Sequence, residues 1–278
     1  MEFSQPAYQL IQTRSSYRNF QPDPLPGELV AQFQAAAQAE HTGPFGNHPR
    51  FRVIAASPGD SQELKGLGTY GFIKGAPAFL VGAVAPGENE LIDYGYIMEQ
   101  LILKATDLGL QTCWLGGAFK RSRFGEKMDL TETERVPAVS PIGYATPKRR
   151  AVDRAIRLIA GSKKRKPAEE LFFQSDGLSA LPPEQQGHWA APLEALRLAP
   201  SASNKQPWRI QMDSVGTHLY FVPTPGYSLP YLQQVDLGIA MAHFSQVALE
   251  QGLVGTWKNH PEAQSKSSLL GNYVASFL

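Results

Sequence analysis

Residues 199–208 read Ala199-Pro200-Ser201-Ala202-Ser203-Asn204-Lys205-Gln206-Pro207-Trp208. A helical pattern, Leu193, Leu196, Arg197 and Leu198, leads into this stretch, and a β-like alternation, Trp208, Ile210 and Met212, leaves it. The stretch is therefore expected to join a helix to a strand. Two hydroxyls, a carboxamide, a cation and a second carboxamide fall within positions 201–206. Pro200 and Pro207 remove backbone donors and restrict φ, which stiffens the loop. A stiff polar loop between buried elements can hold a polyol or amide-bearing ligand at little ordering cost. The same composition also describes a plain turn, because Ser and Asn bond to their own backbone.

The loop sits in a chain of 278 residues, 42% of them hydrophobic, which is enough for one large core or two small ones. A net charge of +1 gives no global field for nucleic acid or membrane surfaces. The single cysteine, Cys113, excludes an intrachain disulfide and fits a reducing compartment. The opening Met1-Glu2-Phe3-Ser4-Gln5-Pro6 lacks the pattern of a signal peptide, and no apolar run approaches the roughly 18 residues of a membrane span. A cytoplasmic protein is expected.

In chain order, a short helix is predicted over Ser4 to Gln12, followed by Thr13-Arg14-Ser15-Ser16-Tyr17-Arg18-Asn19-Phe20. Arg14 and Arg18 flank two hydroxyls. Forked guanidinium donors suit phosphate oxygens, although cations near a helix end are also favoured by the helix dipole. Pro26 opens a helix from Gly27 to about Ala39 with Leu29, Val30, Phe33 and Ala37 in helical register. Strands are expected around Phe51, Val53 and Ala55, and over Ala78 to Val84. Asp93 to Leu108 is apolar on more than one face and should be a buried helix capped by Gly109. A strand Thr112 to Leu115, a capping box at Thr131 to Glu134 and a strand Val136 to Tyr144 come next. The basic run Gly161-Ser162-Lys163-Lys164-Arg165-Lys166 reads as a solvated linker before helix-like Ala168 to Phe173, and Ser175 to Gly187 as a boundary.

The chain also repeats itself. Asp93, Gly95, Met98, Ala105, Gly109, Leu110 and Trp114 match Asp236, Gly238, Met241, Ala248, Gly252, Leu253 and Trp257, each pair at the same offset of 143. Upstream, the loop His41 to Pro49 corresponds to Ala199 to Trp208. The first copy has Arg14, Ser16 and Arg18 but only Thr42 and Asn47 in its loop. The second has the full polar loop but no arginines in its opening Asp176-Gly177-Leu178-Ser179. Each copy keeps one half of a site. Two units are expected, residues 1–173 and 174–278.

These motifs resemble the FMN-dependent nitroreductase family in its fused, single-chain branch. Arg14-Ser15-Ser16-Tyr17-Arg18-Asn19-Phe20 resembles the family's Arg/Ser opening. Pro200-Ser201-Ala202-Ser203-Asn204-Lys205-Gln206-Pro207-Trp208 resembles its Pro-Ser-x-x-Asn loop. Asp93 to Gly117 resembles its long core helix and flavin-contacting strand. The resemblance implies an α+β, nitroreductase-like α-β-α fold. Its two tandem repeats would form an intrachain pseudo-dimer around the buried long helices, with one surviving flavin site. It further implies FMN as cofactor, with its phosphate on Arg14 and Ser16, assisted by Arg165 and Lys163, and with Ser15 among the cofactor-binding residues. Arg18 would lie near N1 and O2 of the flavin, and a backbone N–H of Leu115, Gly116 or Gly117 would face N5. Pro200, Ser201, Ser203, Asn204 and Gln206 would meet the flavin from the other half.

The implied reaction is ping-pong hydride transfer from NADH or NADPH, through FMN N5, to a small electron-poor acceptor such as a nitroaromatic or quinone. A flavin-binding protein without turnover and a flavin-fragmenting or dehalogenating relative are the alternatives, and Leu64 to Gly75 is a candidate lid. A fused chain of this kind is expected to act as a monomer. The six histidines show no metal-ligand spacing, and His243 and Cys113 read as packing residues.

Overall fold

A computed structural model of the protein describes residues 1–56, 64, 67, 69–147, 164–264 and 270–278. The helices are α1 (Ala7–Thr13), α2 (Gly27–Gln38), α3 (Glu90–Asp107), α4 (Arg121–Met128), α5 (Pro183–Gln186), α6 (Ala190–Leu198), α7 (Tyr231–Glu250) and α8 (Pro261–Gln264). The strands are β1 (Arg50–Ala55), β2 (Ala78–Ala83), β3 (Gln111–Thr112), β4 (Val139–Gly143), β5 (Phe172–Phe173), β6 (Trp208–Met212), β7 (Thr217–Phe221), β8 (Trp257–Lys258) and β9 (Asn272–Phe277). They form two sheets, of order β1-β2-β4-β3 and β5-β6-β7-β9-β8. All ladders are antiparallel except β5 on β6, where Phe172 lies opposite Ile210.

Helices α3 and α7 lie between the sheets and pack on each other. Both bury residues around the whole helix, from Leu91 to Ala105 and from Leu232 to Ala248. That all-round burial is what an apolar sequence without a polar stripe requires. The crossing depends on two residues without side chains. A Cβ on Gly95 would lie 2.2 Å from the Val235 carbonyl oxygen, and one on Gly238 would lie 2.0 Å from that of Ile92. The two helices also end alike. Gly109 (φ 77°) and Gly252 (φ 73°) take the left-handed conformation, and Leu110 and Leu253 donate back to the carbonyls of Ala105 and Ala248.

Several local expectations are corrected. The strand predicted from Thr112 to Leu115 stops at Thr112, because the Cys113 N–H is taken by the Ser140 hydroxyl (3.1 Å); Leu115 makes an isolated bridge to Val139. Thr131 to Glu134 starts no helix. Glu134 does accept from the Thr131 N–H (2.9 Å), but Pro137 keeps the following backbone extended and Arg50 binds the carboxylate. The helix lies instead at Arg121–Met128, where Phe124 and Met128 are its buried pair. Ala168 to Phe173 forms one 3-10 turn, Ala168–Glu170, and then β5, because the edge of β6 is open to pairing there. Lys163 lies outside the described residues, as does part of Leu64 to Gly75.

Among the described residues no helix is long and apolar enough to cross a membrane, and no acidic, histidine and cysteine group is arranged to hold a metal ion.

Candidate functional site

Helix α1 ends at Thr13, and the chain then runs extended alongside the first sheet. Ser16 bridges to Thr112, the Tyr17 N–H donates to the Thr112 carbonyl (2.9 Å), and Phe20 bridges to Ala145. This pairing carries Arg14, Ser15, Ser16 and Arg18 to one wall of a cavity of about 240 Å³. The facing wall is the loop Pro200 to Asn204, which hangs between α6 and β6 as its sequence predicts. Arg165 closes one end, and Trp114, Gly116, Ala138, Leu232, Val235 and Ile239 make a largely apolar remainder. Arg14 and Asn204, 190 positions apart in sequence (14 to 204), therefore share one cavity.

The loop is fixed from several sides. Both carboxylate oxygens of Asp236, on the first turns of α7, accept the Ala202 N–H (2.9 and 3.0 Å). Burial holds the Asp236 carboxyl well above the ordinary range, against the opposing effect of that hydrogen bond. Gln206 accepts the Lys166 N–H (2.8 Å), donates to the Asn204 carbonyl (3.2 Å), and gives its own N–H to the Ser201 hydroxyl (2.9 Å). It is 2% exposed and braces the loop from behind; it does not line the cavity. The Asn204 amide accepts from Arg165 Nη1 (3.0 Å) and donates to the Lys164 carbonyl (2.6 Å). Ser203, Asn204 and Gln206 all have φ between 50° and 55°, left-handed backbone that side chains other than Asn adopt at a cost of about 1–3 kcal/mol each. In the first half, Asp93 holds its own loop the same way, accepting the N–H groups of Phe45 and Asn47 and the Asn47 amide (2.9, 2.9 and 2.8 Å).

The cations are set in partly dry surroundings. Arg165 spends Nε and Nη2 on the Leu198 carbonyl (3.3 and 3.0 Å). Burial, followed by the nearby charges of Arg14 and Arg197, brings its pKa down to about 10. The Arg14 side chain is 7% exposed. Its Nε lies 3.7 Å from Glu99 Oε1, beyond hydrogen-bond range, and Nε and Nη1 are buried without a hydrogen-bond partner. A buried guanidinium keeping two unused donors beside a cavity is set for an anion that the protein does not supply.

Glu99, buried on α3, organises the floor beneath. It accepts from Trp114 Nε1 (2.6 Å) and is joined to His243 Nε2 (2.9 Å). His243 Nδ1 donates to the Ala195 carbonyl (2.9 Å), so this histidine connects α3, α6 and α7 and is more than packing. Cys113 is buried in an apolar cluster. Of Leu115, Gly116 and Gly117, only Gly116 lines the cavity; the Leu115 N–H is committed to the Val139 carbonyl (2.9 Å), and Gly117 lies against Leu229.

Trp114, Asp236 and Glu99 were not assigned to the site from sequence. Asp236 and Trp114 did leave a signal, as the repeat partners of Asp93 and Trp257, whereas Glu99, one of four acids on α3, left none.

A family model described as "Putative TM nitroreductase" matches residues 7–248. The crystal structure of a putative nitroreductase from Thermotoga maritima superposes over 100% of this chain and 95% of its own, with a TM-score of 0.60 at 19% identity, and so shares the fold. An FMN-dependent nitroreductase from Clostridium difficile aligns with 52% of this chain over 92% of its own (TM-score 0.41, 19% identity). A nitroreductase with bound FMN from Bacteroides fragilis aligns with 51% over 90% (TM-score 0.38, 14% identity). No curated protein matches the sequence.

Proposed function

The chain belongs to the family described as Putative TM nitroreductase, and from that premise we propose that it is an FMN-dependent oxidoreductase passing electrons from NADH or NADPH to a small electron-poor acceptor. The observation that carries the proposal is Arg14, with two buried and unsatisfied donors facing the same cavity as Arg165 and Ser16.

The residues present fit the cofactor. A phosphate monoester is matched by the Arg14 and Arg165 end, where charge-assisted bonds are strongest in low dielectric. A flat ring system is matched by Trp114, Leu232, Val235 and Ile239, and its polar edge by Ser201, Ser203 and Asn204. Arg18 brings a further cation to the wall, where it would stabilise negative charge on a bound ring. FMN, when bound, supplies the two-electron redox chemistry. The chain's residues grip, orient and exclude water; Asp236, committed to Ala202, is scaffold for the loop and not a proton carrier.

We further propose that residues 1–173 and 174–278 are tandem units forming a pseudo-dimer within one monomeric, cytoplasmic chain. The reciprocal approach of Gly95 and Gly238 and the matching roles of Asp93 and Asp236 support this. The corresponding cavity beside Thr42, Gly43 and Pro44, about 360 Å³, has no charged residue in its described lining. It therefore offers a phosphate no cation, and a single flavin per chain is expected.

The test is the flavin itself. Protein purified with FMN should be yellow, and Arg14→Ala should weaken FMN binding by at least ~100-fold, since two charge-assisted hydrogen bonds at ~1.5–3 kcal/mol each are lost. Anaerobic mixing with NADH or NADPH should then bleach the bound flavin. A colourless protein that ignores excess FMN would refute the cofactor, and flavin that stays oxidised under excess reductant would refute turnover.

A further inference from the structure

The carbonyl of Gly116, a residue of the cavity wall, carries a cation on its outer side. Arg121, the first residue of α4, donates through Nη2 to the Gly116 carbonyl and to the Tyr231 hydroxyl, and Tyr231 donates to the same carbonyl (2.7 Å). The guanidinium carbon stands 4.9 Å from the centre of the Phe119 ring and 5.4 Å from that of Tyr231. Arg121 is thus exposed yet held by two oxygens and two rings. Leu232, the neighbour of Tyr231, lines the cavity and sits against Gly116, so this cluster stands against the cavity wall, while Arg121 itself lines an adjoining open groove with Glu126, Asp129 and Glu134.

The arginines around it are paired with acids: Arg123 with Glu126 (3.3 Å), Arg50 with Glu134 (2.7 Å), Arg52 with Asp129 (2.9 Å) and Arg135 with Glu90. Among the described residues Arg121 has no carboxylate partner, and its Nε and Nη1 meet no acceptor. A guanidinium already ordered by its surroundings loses little freedom when it binds, and its remaining donors suit the two oxygens of a carboxylate.

We propose that Arg121 makes the enzyme select acceptors that carry a carboxylate on a small electron-poor aromatic ring, by pairing with that carboxylate where it reaches past Gly116 and Leu232. A monoanion is favoured over the pyrophosphate of a dinucleotide because the neighbouring cations are already neutralised, which leaves a single charge to satisfy. The proposal rests on the oxidoreductase reading for its assignment of the ligand as an acceptor.

The experiment compares binding of 4-nitrobenzoate with that of its neutral analogue 4-nitrobenzamide, using calorimetry on the FMN-loaded protein. Wild type should bind the benzoate more tightly. Arg121→Gln should raise the benzoate Kd about five- to tenfold, leave the benzamide Kd and FMN content unchanged, and abolish the salt dependence of the preference. Arg121→Lys should recover part of the preference, since it restores the charge without the fork. Tyr231→Phe controls for scaffolding, because it loosens the Gly116 carbonyl while keeping the cation, and should leave most of the preference intact. Equal binding of both ligands by wild type, an equal loss of both in Arg121→Gln, or an unchanged preference in Arg121→Gln would each overturn the proposal. So would an effect of Arg121→Gln on NADH binding alone, which would assign the cation to the reductant. Protein that takes up no FMN would refute the cofactor; the same titrations on that flavin-free protein would still separate a carboxylate-selective site from an indifferent one.

Discussion

Replacing Gly95 with alanine places one methyl group at the crossing of α3 and α7. The new Cβ would stand 2.2 Å from the Val235 carbonyl oxygen and 2.9 Å from its carbon, where relaxed contacts lie roughly 3.5–4.0 Å apart. Both obstacles are backbone, so no side chain can swing aside and the helices must separate by about 1 Å or more. A gap of that size forfeits about a quarter to a half of each facing contact, and a buried side chain makes some 40–60 contacts worth about 0.1–0.2 kcal/mol each. Loosening even two facing residues therefore costs about 4 kcal/mol. Alanine returns about 1 kcal/mol through its higher helix propensity. The net loss is about 3 kcal/mol, or a fall in Tm of roughly 6–12 °C for a chain near this size.

Gly238→Ala meets Ile92 and Tyr96 backbone at 2.0 and 2.6 Å and should behave alike. Because both methyls wedge the same crossing, the displacement caused by one relieves the other, and the double variant should lose clearly less than the sum of the singles. Val235, Asp236 and Ile239 line the cavity from α7, so FMN affinity should fall together with Tm. Scanning calorimetry and flavin fluorescence titration read both. A Tm within about 2 °C of wild type for either single variant, or strict additivity in the double, would refute the backbone-contact account.

Three further outcomes are expected. Glu99→Leu strands Trp114 Nε1, His243 Nε2 and the Arg14 charge in a dry interior and should cost about 3–5 kcal/mol in urea unfolding, whereas Glu99→Gln, which keeps an acceptor for Trp114 but removes the charge opposite Arg14, should cost less without restoring wild-type stability. Arg50 holds the Glu134 carboxyl down to about 2 from 4.5, so this stabilisation is complete above pH 4.5 and is lost as pH falls toward 2. With Arg50 partly exposed the contribution is discounted to about 1–2 kcal/mol, and the stability gap between wild type and Glu134→Gln should close over that acid window. Burial raises the Asp236 carboxyl instead, so the folded chain retains a proton that the unfolded chain releases. Stability should accordingly fall as pH rises above 3.8, and Asp236→Asn should remove that slope in melts taken across the range.

Much of this architecture was legible from residue pattern. Leu193 to Leu198, the polar loop and the alternation from Trp208 are the helix, connection and strand that their spacing requires, and the two long helices end at their glycines as read. What failed did so where a distant partner decided the outcome. Phe172 and Phe173 could continue a helix or pair as a strand, and the open edge of β6, 38 positions further on at Ile210, settled it. The Cys113 N–H left its ladder for a hydroxyl on β4. Helix α4 was hidden because its charged surface outnumbers the buried pair Phe124 and Met128. In the site, the Arg/Ser opening and the Pro-Ser-x-x-Asn loop were read as ligand-facing, and they do line one cavity. Glu99 and His243 escaped because they act on each other and on Arg14 across α3 and α7, contacts that have no sequence spacing.

The same division explains why the site can be preformed. A polar loop with three non-glycine residues in left-handed backbone would relax if left alone. Here Asp236 holds it from the helix below, Gln206 from behind, and Arg165 from the side. Those restraints tie the loop to α7 and to residues 164–166, so the strain is met during folding and not when a ligand arrives. Arg14 stands under the opposite regime. Glu99 neutralises its charge from 3.7 Å without consuming its donors. A closer, bidentate carboxylate would satisfy the guanidinium and leave nothing for a phosphate; a more distant one would leave a buried charge unbalanced. The intermediate separation lets a cation remain buried, ordered and still able to bind.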